Sequence, residues 1–534
     1  MLLVLGIAIS IVLRRAEPFL RAQIVEALEE HFHARVELDS FHVSLVKGLW
    51  AEGKGLRIWP PAEVEGVTVP GSNGTAPGPL ISLDEFRFHA PLHYKPGKPI
   101  LISVVQLRGL NIDVPPRTHF THAAETGSTR KTQPSAALFA FEVDSIDCRG
   151  AHLKLETSKP GKLPMEFAIA DVKLTHVSAD APMRFVAALS NPKPPGTIQT
   201  SGSIGPWNVG DPGETPVEGN YRFMHADLGI FRGIAGILNS TGRYQGTLRN
   251  LMVDGETDTP DFRLTQFGTA VPLHTHFHAL VDGTNGDTWL QPVDATLGQT
   301  HFKAEGTVIR VPPGVAKNGA ELPGGHDISL TVNVVRGRMD DFLRLTSKNG
   351  TPLLSGLLTL KAGVEIPPGT ASAHDRLKLK GSFSLEDAEF SSLKIQHKIG
   401  ELSWHGQGRP QHEKGDVDGV QSAMQSDFTM ADGVVNLPDL RYTVPGAEID
   451  LKGTYGVDVG TLDFEGKART EATVSQIVGG WKGTLLKPAD HFFKKDGAGT
   501  EVPIHVEGTR DDPKFGVDLG KTKHTSPAIP GQPH

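Results

Sequence analysis

Apolar and polar residues alternate along most of the chain after Arg35. Ile328, Leu330 and Val332, for example, lie on one face of a segment whose Ser329 and Thr331 point to the other. A period of two is typical of antiparallel strands with one apolar and one solvated face. The pattern recurs almost to the end of the 534 residues. It therefore predicts a mainly β protein, built on one long, curved antiparallel sheet.

A residue-Gly-Ser/Thr step recurs within these strand-like segments. Its glycines are Gly202, Gly246, Gly306, Gly381, Gly453 and Gly508. Glycine inside a strand indicates a bulge, a bend or a close approach of two backbones. The spacing is too irregular for the coils of a β-helix. We predict a sheet of repeated hairpins, each bent at a comparable place.

Few helices accompany these strands. Short helical candidates occur at residues 226–238, 338–345 and 472–486, and a long Pro/Gly-rich connection is expected at 191–219. So few helices cannot cover one face of so many strands. An amphipathic sheet must pack on a second layer, close on itself, or contact apolar material that is not protein. We therefore predict an open apolar groove, with a few short capping helices.

The groove lining is predicted from the apolar members of the alternating segments. These residues are Phe41, Val43, Leu45, Phe167, Ile169, Val271, Leu273, Phe277, Val281, Ile328, Leu330, Val332, Leu377, Leu379, Ile449, Leu451, Val502, Ile504 and Val506.

The chain begins with an apolar run that Arg14 and Arg15 end. As a helix this run would rise about 18 Å, against a hydrocarbon core of roughly 30 Å. No small-residue cleavage pattern follows, so we expect an uncleaved, short N-terminal membrane anchor within residues 1–16. By the positive-inside tendency, the two arginines on the far side of the run argue for the opposite orientation, with the rest of the chain on the cytoplasmic side. The anchoring side chains are Leu2, Leu3, Leu5, Ile7, Ile9, Ile11 and Leu13.

Residues 17–35 are predicted to form an amphipathic helix. Phe19, Leu20, Ile24, Leu28 and Phe32 recur at helical spacing on one face. Two interpretations stay open: the helix covers one end of the sheet, or it lies at a membrane interface. The chain then divides into an N-terminal β region (36–198), a central β region (199–366), a C-terminal β region (367–520) and a disordered tail (521–534).

Composition narrows the function. The formal net charge is −8 and the pI about 6.3, so no basic excess is present to neutralise phosphates, and we expect no nucleic-acid partner. Cys148 is the single cysteine, which excludes an internal disulfide and a zinc site of the usual cysteine type.

Candidate chemistry is sparse. His274, His276 and His278 would share one face of a strand, and His301 is a distant fourth ligand, but we expect solvated histidines and no metal. The acidic pairs at 340–341 and 511–512 are likewise expected to be solvated. No nucleophile-and-base set or cofactor motif occurs, so we predict neither an enzyme nor a cofactor.

Both ends of the chain carry distinctive segments. They are the Glu26-Ala27-Leu28…Phe32 helix, VELDSFHVSL and GLWAEGKGLRI near the N-terminus, and residues 433–455 and 502–519 near the C-terminus. In these segments the chain resembles AsmA-like proteins of the bacterial envelope. The resemblance implies an inner-membrane anchor and a periplasmic β body. Related TamB-like proteins are thought to move phospholipid between membranes or to support outer-membrane assembly. The short anchor and modest length depart from the bridge-length members.

The expected function is phospholipid handling or transport, or outer-membrane assembly and homeostasis. Membrane phospholipids, the inner membrane and other envelope proteins are the expected partners. The main alternative is a non-enzymatic envelope scaffold whose closed core is filled by its own strands. An outer-membrane barrel is weaker, because aromatic residues form 7% of the chain, too few for two girdles. A hydrolase is the weakest alternative.

Overall fold

The computed structural model describes most of the chain between residues 17 and 517. The described residues are 17–30, 34–44, 50–59, 78–89, 100–115, 141–157, 159–178, 181–192, 194–208, 211–231, 233–265, 269–315, 321–347, 351–409, 420–472, 499–510 and 512–517. Strands hold 66% of them, which confirms the mainly β prediction. The predicted anchor at residues 1–16 and the tail at 521–534 lie outside the described residues.

The strands of the N-terminal half run as follows. They are β1 (Val36–Ser44), β2 (Trp50–Ile58), β3 (Ile81–His89), β4 (Ile100–Val114), β5 (Phe141–Leu155), β6 (Met165–Thr175), β7 (Met183–Pro192), β8 (Pro195–Ile204), β9 (Pro216–Asp227), β10 (Ile234–Ala235), β11 (Ile237–Thr247), β12 (Leu251–Thr259) and β13 (Arg263–Leu264). The predicted connection at 191–219 therefore contains a full strand, β8.

The remaining strands carry the same alternation. They are β14 (Leu273–Val281), β15 (Thr288–Leu297), β16 (Thr300–Val311), β17 (Gly314–Val315), β18 (Glu321–Leu322), β19 (Gly325–Arg338), β20 (Leu354–Ile366), β21 (Lys378–Phe390), β22 (Ala423–Ala431), β23 (Val434–Val444), β24 (Ala447–Gly456), β25 (Thr461–Thr470), β26 (Thr500–Thr509) and β27 (Asp512–Val517).

One sheet of 23 strands contains all but four of them, and it curls into a half-barrel groove as predicted. Each strand pairs with the strands before and after it in sequence, apart from the two-stranded pairs β10–β13 and β17–β18. The pairings are antiparallel except β4–β5, which are parallel over residues 100–114 and 141–155. Hairpin connections therefore alternate between two loop rims.

Backbone crowding bends this sheet. A Cβ added to any glycine of the recurring Gly-Ser/Thr step would lie only 1.9–2.6 Å from a carbonyl oxygen of the neighbouring strand or turn. These glycines thus mark close backbone approach. The mid-strand prolines Pro292 and Pro438 lie inside register shifts of β15 and β23, at Leu290–Val293 and Leu437–Leu440. Bulges relieve the missing N–H donor and increase local curvature.

Replacing Gly381 by alanine is expected to destabilise the protein by ~1–3 kcal/mol, because overpacking forces a backbone shift. The added Cβ would lie 2.1 Å from the Lys361 carbonyl oxygen. Gly363, on the adjacent strand, is the matched control, since its nearest contact would be 3.7 Å away. Gly363→Ala is expected to be neutral or to stabilise by ~0.4–1 kcal/mol. Urea unfolding of both variants checks this, and equal effects would contradict it.

Four helices accompany the sheet in the described chain. They are α1 (residues 17–30), α2 (Met339–Arg344), α3 (Ala373–Arg376) and α4 (Leu393–Gly406). The candidate at 338–345 is confirmed as α2. The candidate at 226–238 is wrong, because that segment holds a 3₁₀ turn, Leu228–Ile230, between β9 and β11. The candidate at 472–486 lies almost entirely outside the described residues.

Helix α1 covers the N-terminal end of the sheet. Leu20, Ile24 and Leu28 pack against a core cluster that includes Phe41 and Phe86. Its polar side chains also bond the outer edge of β1. The Glu29 carboxylate accepts from Val36 N–H at 3.2 Å, the Glu17 carboxylate accepts from Val43 N–H at 3.1 Å, and Arg21 donates to the Leu38 carbonyl at 3.0 Å. Such capping protects an edge strand from pairing with another chain.

The two loop rims of the sheet meet in the middle of the molecule. The β5–β6 connection lies on one rim and the β14–β15 connection on the other, six to eight strands further along. Lys159 Nζ lies 2.7 Å from the Asp282 carboxylate, and Lys162 Nζ lies 2.8 Å from the Asp287 carboxylate. A second approach recurs at the same strand spacing, where a Cβ on Gly233 would lie 3.3 Å from the backbone nitrogen of Ala373. The sheet is therefore rolled, with its strands slanted to the axis of the roll.

Asp282 is held by a dense set of donors at this contact. Its side chain is 2% exposed and accepts from Thr284 N–H at 2.9 Å, Thr284 Oγ1 at 2.6 Å and Asn285 Nδ2 at 2.9 Å. Burial alone would raise the pKa of Asp282, but the bonds from Lys159 and Thr284 outweigh it, so this pKa lies below its ordinary value.

Acidification is expected to weaken the contact between the rims. Because the folded pKa of Asp282 is lower than the unfolded value of about 3.9, the folded protein binds the proton less readily. The stabilisation is fully present above pH ~3.9 and is lost as the pH falls through the folded pKa. The protection factor of the peptide 281–288, which corrects the hydrogen-exchange rate for the slower intrinsic exchange in acid, should fall over that range. If the acid-dependent change is no larger in the unmodified protein than in an Asp282→Asn variant, the assignment to Asp282 is contradicted.

Candidate functional site

The C-terminal part of the sheet lines a half-open, apolar cavity of about 730 Å³. Its wall is the inward face of β20 to β27. The wall side chains are Leu354, Leu358, Leu360, Leu379, Phe383, Phe390, Met424, Phe428, Val435, Leu437, Leu440, Tyr442, Ile449, Leu451, Tyr455, Leu462, Phe464, Ala468, Ile504, Val506 and Phe515. This volume lies within the ~300–1,000 Å³ typical of small-molecule sites.

Helix α4 closes one end of the cavity. Ser392 caps its N-terminus, with the hydroxyl accepting from Ile395 N–H, and apolar residues then recur at helical spacing. Ile395, Ile399 and Leu402 line the cavity. The Ser403 hydroxyl fixes the far end of the helix by donating to the Pro445 carbonyl at 2.8 Å.

Helix α2 lies beside α4 on the same rim and contributes Met339, Phe342 and Leu343 to the cavity. A buried carboxylate holds it in place. Asp341 is 1% exposed and accepts from Thr300 Oγ1 at 2.8 Å and from Gln299 N–H at 3.0 Å. The expectation that the acidic pair at 340–341 is solvated is therefore wrong, because both side chains are buried.

Tyr442 lies where the α4 cluster meets the cavity wall. Its side chain is 6% exposed and its ring packs edge-on against Phe390, with centroids 6.3 Å apart. Burial raises the pKa of the Tyr442 hydroxyl above its ordinary value. The phenol therefore stays neutral and presents an uncharged surface to the cavity.

Charged groups are few among the described lining residues. Lys398 and Arg510 are the charged side chains. The other polar groups are the His505 imidazole and a few hydroxyl groups. The remaining lining is aliphatic or aromatic. Such a surface offers dispersion contacts and removal of apolar area from water, worth about 0.8 kcal/mol per buried methylene group. It offers no set of polar groups that would orient a polar substrate for chemistry.

The predicted lining residues fall into three groups. Leu379, Ile449, Leu451, Ile504 and Val506 line the cavity. Phe41 and Val43 belong to the core beneath α1. The others lie mostly half-buried on or beside other strands, and they are Phe167, Ile169, Val271, Leu273, Phe277, Val281, Ile328, Leu330, Val332, Leu377 and Val502. Leu45 and the anchor residues lie outside the described chain.

Sequence reasoning missed most of the cavity aromatics and helix α4. Phe383, Phe428 and Phe464 line the cavity, and each belongs to an alternating segment. Their period-two positions were an available signal. The signal for α4 was also present, as Ser392 before Ile395 and Ile399.

The three-histidine segment lies on the solvated face of β14, as predicted. His274, His276 and His278 are exposed, and each stands opposite an acidic residue of β12. His278 bonds Asp254, and this bond holds the pKa of Asp254 below its ordinary value. Within the described residues, no three His, Cys, Asp or Glu side chains are grouped closely enough to hold a metal ion.

A larger hollow of about 1060 Å³ lies on the opposite, polar face of β3 to β11. Its walls carry exposed charges that neutralise one another across strands. Arg149 lies 3.8 Å from Asp171, and Lys173 lies 4.0 Å from Asp147. Because these groups stay hydrated, the hollow offers little binding free energy, and the apolar cavity is the better candidate site.

Fold and site together define a class of protein: one curled β-sheet, in which strands pair with their neighbours in sequence, and an apolar cavity under two short helices. No known protein family, no curated protein and no solved structure matches the chain. In the described part of the chain, no helix has both the length and the apolar character needed to cross a membrane.

Proposed function

We propose that this protein binds the acyl chains of lipids in the C-terminal cavity and handles phospholipid at a bacterial envelope. The observation that carries the proposal is the composition of the cavity, whose wall and helical end are aliphatic and aromatic. Apolar surface that meets no second protein layer is typical of sites for apolar ligands. No catalytic step is part of this function.

The lipid would bind with its acyl chains along β20 to β27 and its headgroup at the solvated mouth. The lining contains two cations, on opposite rims: Arg510 in the β26–β27 turn, away from α4, and Lys398 on α4 itself. The inner-membrane anchor and the periplasmic location are further parts of the proposal. They rest on the apolar N-terminal run and on the AsmA-like segments at both ends of the sequence.

The cluster beneath α1 favours a second candidate, an envelope scaffold without lipid. In that cluster Leu38, Phe41 and Phe86 are buried by the protein's own side chains. A chain filled in this way throughout would need no ligand. The C-terminal cavity distinguishes the two functions, because only lipid binding uses it.

The test is native mass spectrometry of the full chain, purified in a mild detergent of known mass. We expect adducts with phospholipid masses, which solvent extraction and fragmentation then identify. A folded protein that carries detergent alone, and that fails to take up an added fluorescent fatty acid, would support the scaffold instead.

A further inference from the structure

We propose that the β5–β6 loop is a gate that closes the middle of the rolled sheet and opens to admit a ligand sideways. The gate consists of Thr157 and residues 159–164, which contact residues 282–287 and Arg310 on the opposite rim. The inference deepens the proposed function by naming an entry route, and it rests on that function for the nature of the ligand.

The geometry requires a turn of sheet behind the gate. Strands β6 to β14 connect the two rims by continuous pairing. Since the rims touch, these strands wrap around the space between them. Their apolar face turns inward: Leu273 and Phe277 on β14 are half-buried, whereas His276 between them is exposed. The closed loop thus covers an apolar surface that separated rims would expose.

Polar contacts hold the gate closed. Besides the two ion pairs, Lys162 Nζ donates to the Arg310 carbonyl at 2.8 Å, and Arg310 donates to the Pro164 carbonyl at 2.9 Å. Met165 N–H donates to the Thr284 carbonyl at 3.2 Å. When such a contact separates, water replaces each bond and the charged groups regain their hydration. Opening is therefore less costly than separating packed apolar layers.

Gly161 is the hinge we assign to the loop. Gly161 adopts a φ of +70°, and a side chain added there would meet no other atom within 4 Å. Lys159 lies over the ring of Trp289, with its Nζ 5.5 Å from the ring centroid. The indole reports on gate position, because withdrawal of the lysine changes its surroundings.

The first experiment measures thiol accessibility in the full chain with Cys148 replaced by alanine. One variant carries Phe277→Cys on the inward face of β14, and its control carries His276→Cys on the outward face of the same strand. Replacing Asp282 and Asp287 by asparagine should open the gate. We expect maleimide labelling at position 277 to accelerate at least tenfold, with position 276 unchanged. Equal labelling rates at position 277 with and without the gate substitutions would overturn the proposal.

A second experiment locks the gate, which covers the case in which the open variant fails to fold. Thr157 Oγ1 and Thr284 Oγ1 lie 3.5 Å apart, so cysteines at these positions are placed to form a disulfide. We expect oxidation to slow uptake of a fluorescent fatty acid at least fivefold, and a reductant to restore it. Uptake that is insensitive to the lock would reject the gate while leaving lipid binding intact. The labelling experiment needs no lipid, so failure of the proposed function is recognised separately.

Discussion

Leu451→Glu is expected to weaken binding of a fluorescent fatty acid at least 30-fold, or by about 2 kcal/mol. Leu451 is half-buried in the cavity wall, between Leu440 on β23 and Gly466 on β25. A carboxylate at this position stays hydrated while the cavity holds water. An acyl chain would strip that water away without supplying a partner for the charge, which makes binding unfavourable. Fluorescence titration measures the loss.

Lys452→Glu is the matched control. It introduces the same carboxylate on the next residue of the same strand, but on the solvated face. Lys452 pairs there with Glu465 at 2.9 Å, and both side chains are exposed. Loss of such a pair costs less than ~1 kcal/mol, and the new carboxylate and Glu465 repel each other across the two strands in a hydrated setting. Both effects act on stability and lie outside the cavity, so affinity should stay within about twofold. If Leu451→Glu folds and binds the probe as the control does, the cavity is not the lipid site.

Asp341→Ala is expected to destabilise the end of the cavity by ~1–3 kcal/mol. The substitution removes the acceptor of the Gln299 N–H and leaves the buried Thr300 hydroxyl with only the Arg338 carbonyl, 3.4 Å away, and a poorly satisfied buried group costs ~1–3 kcal/mol. Thr300 is 1% exposed, so water does not reach it without local opening. Hydrogen exchange of peptides that span 339–347 measures the change, because Asp341 holds helix α2 in place.

Asp341→Asn tests the assignment to hydrogen bonding. The amide keeps one acceptor oxygen in place, so we expect roughly half of the loss seen with alanine. Asp327→Ala, on the exposed face of β19, should change stability by less than ~0.5 kcal/mol. An effect of Asp341→Ala no larger than that of Asp327→Ala would show that Asp341 does not anchor α2.

Local patterning was sufficient to predict the strands. Period-two segments such as that around Ile328 became strands of the sheet, and the recurring glycines became sites of close backbone approach. Both signals arise within a few residues, where side-chain direction and backbone sterics act directly. Helix α2 followed from its local pattern as well.

Long-range packing was beyond the sequence pattern. The local sequence around Asp341 does not distinguish a side chain in a solvated turn from one buried against Thr300. Only the fold brings these two residues together. Phe41 and Leu451 have the same alternating context, yet α1 covers the first while a cavity faces the second. Alternation predicts which face is apolar, but what covers that face depends on helices and loops far away in sequence.

The pairing of strands in sequence order has a consequence for how the chain folds. Nearly every strand pairs with its sequence neighbours, so contact order is low for so long a chain, and hairpins can form anywhere and grow outward as in repeat proteins. The Lys162–Asp287 pair joins residues 125 positions apart. Closing so long a loop costs conformational entropy, so we expect this pair to form late, after the transition state for folding. Weakening this pair should therefore speed unfolding and leave the folding rate nearly unchanged.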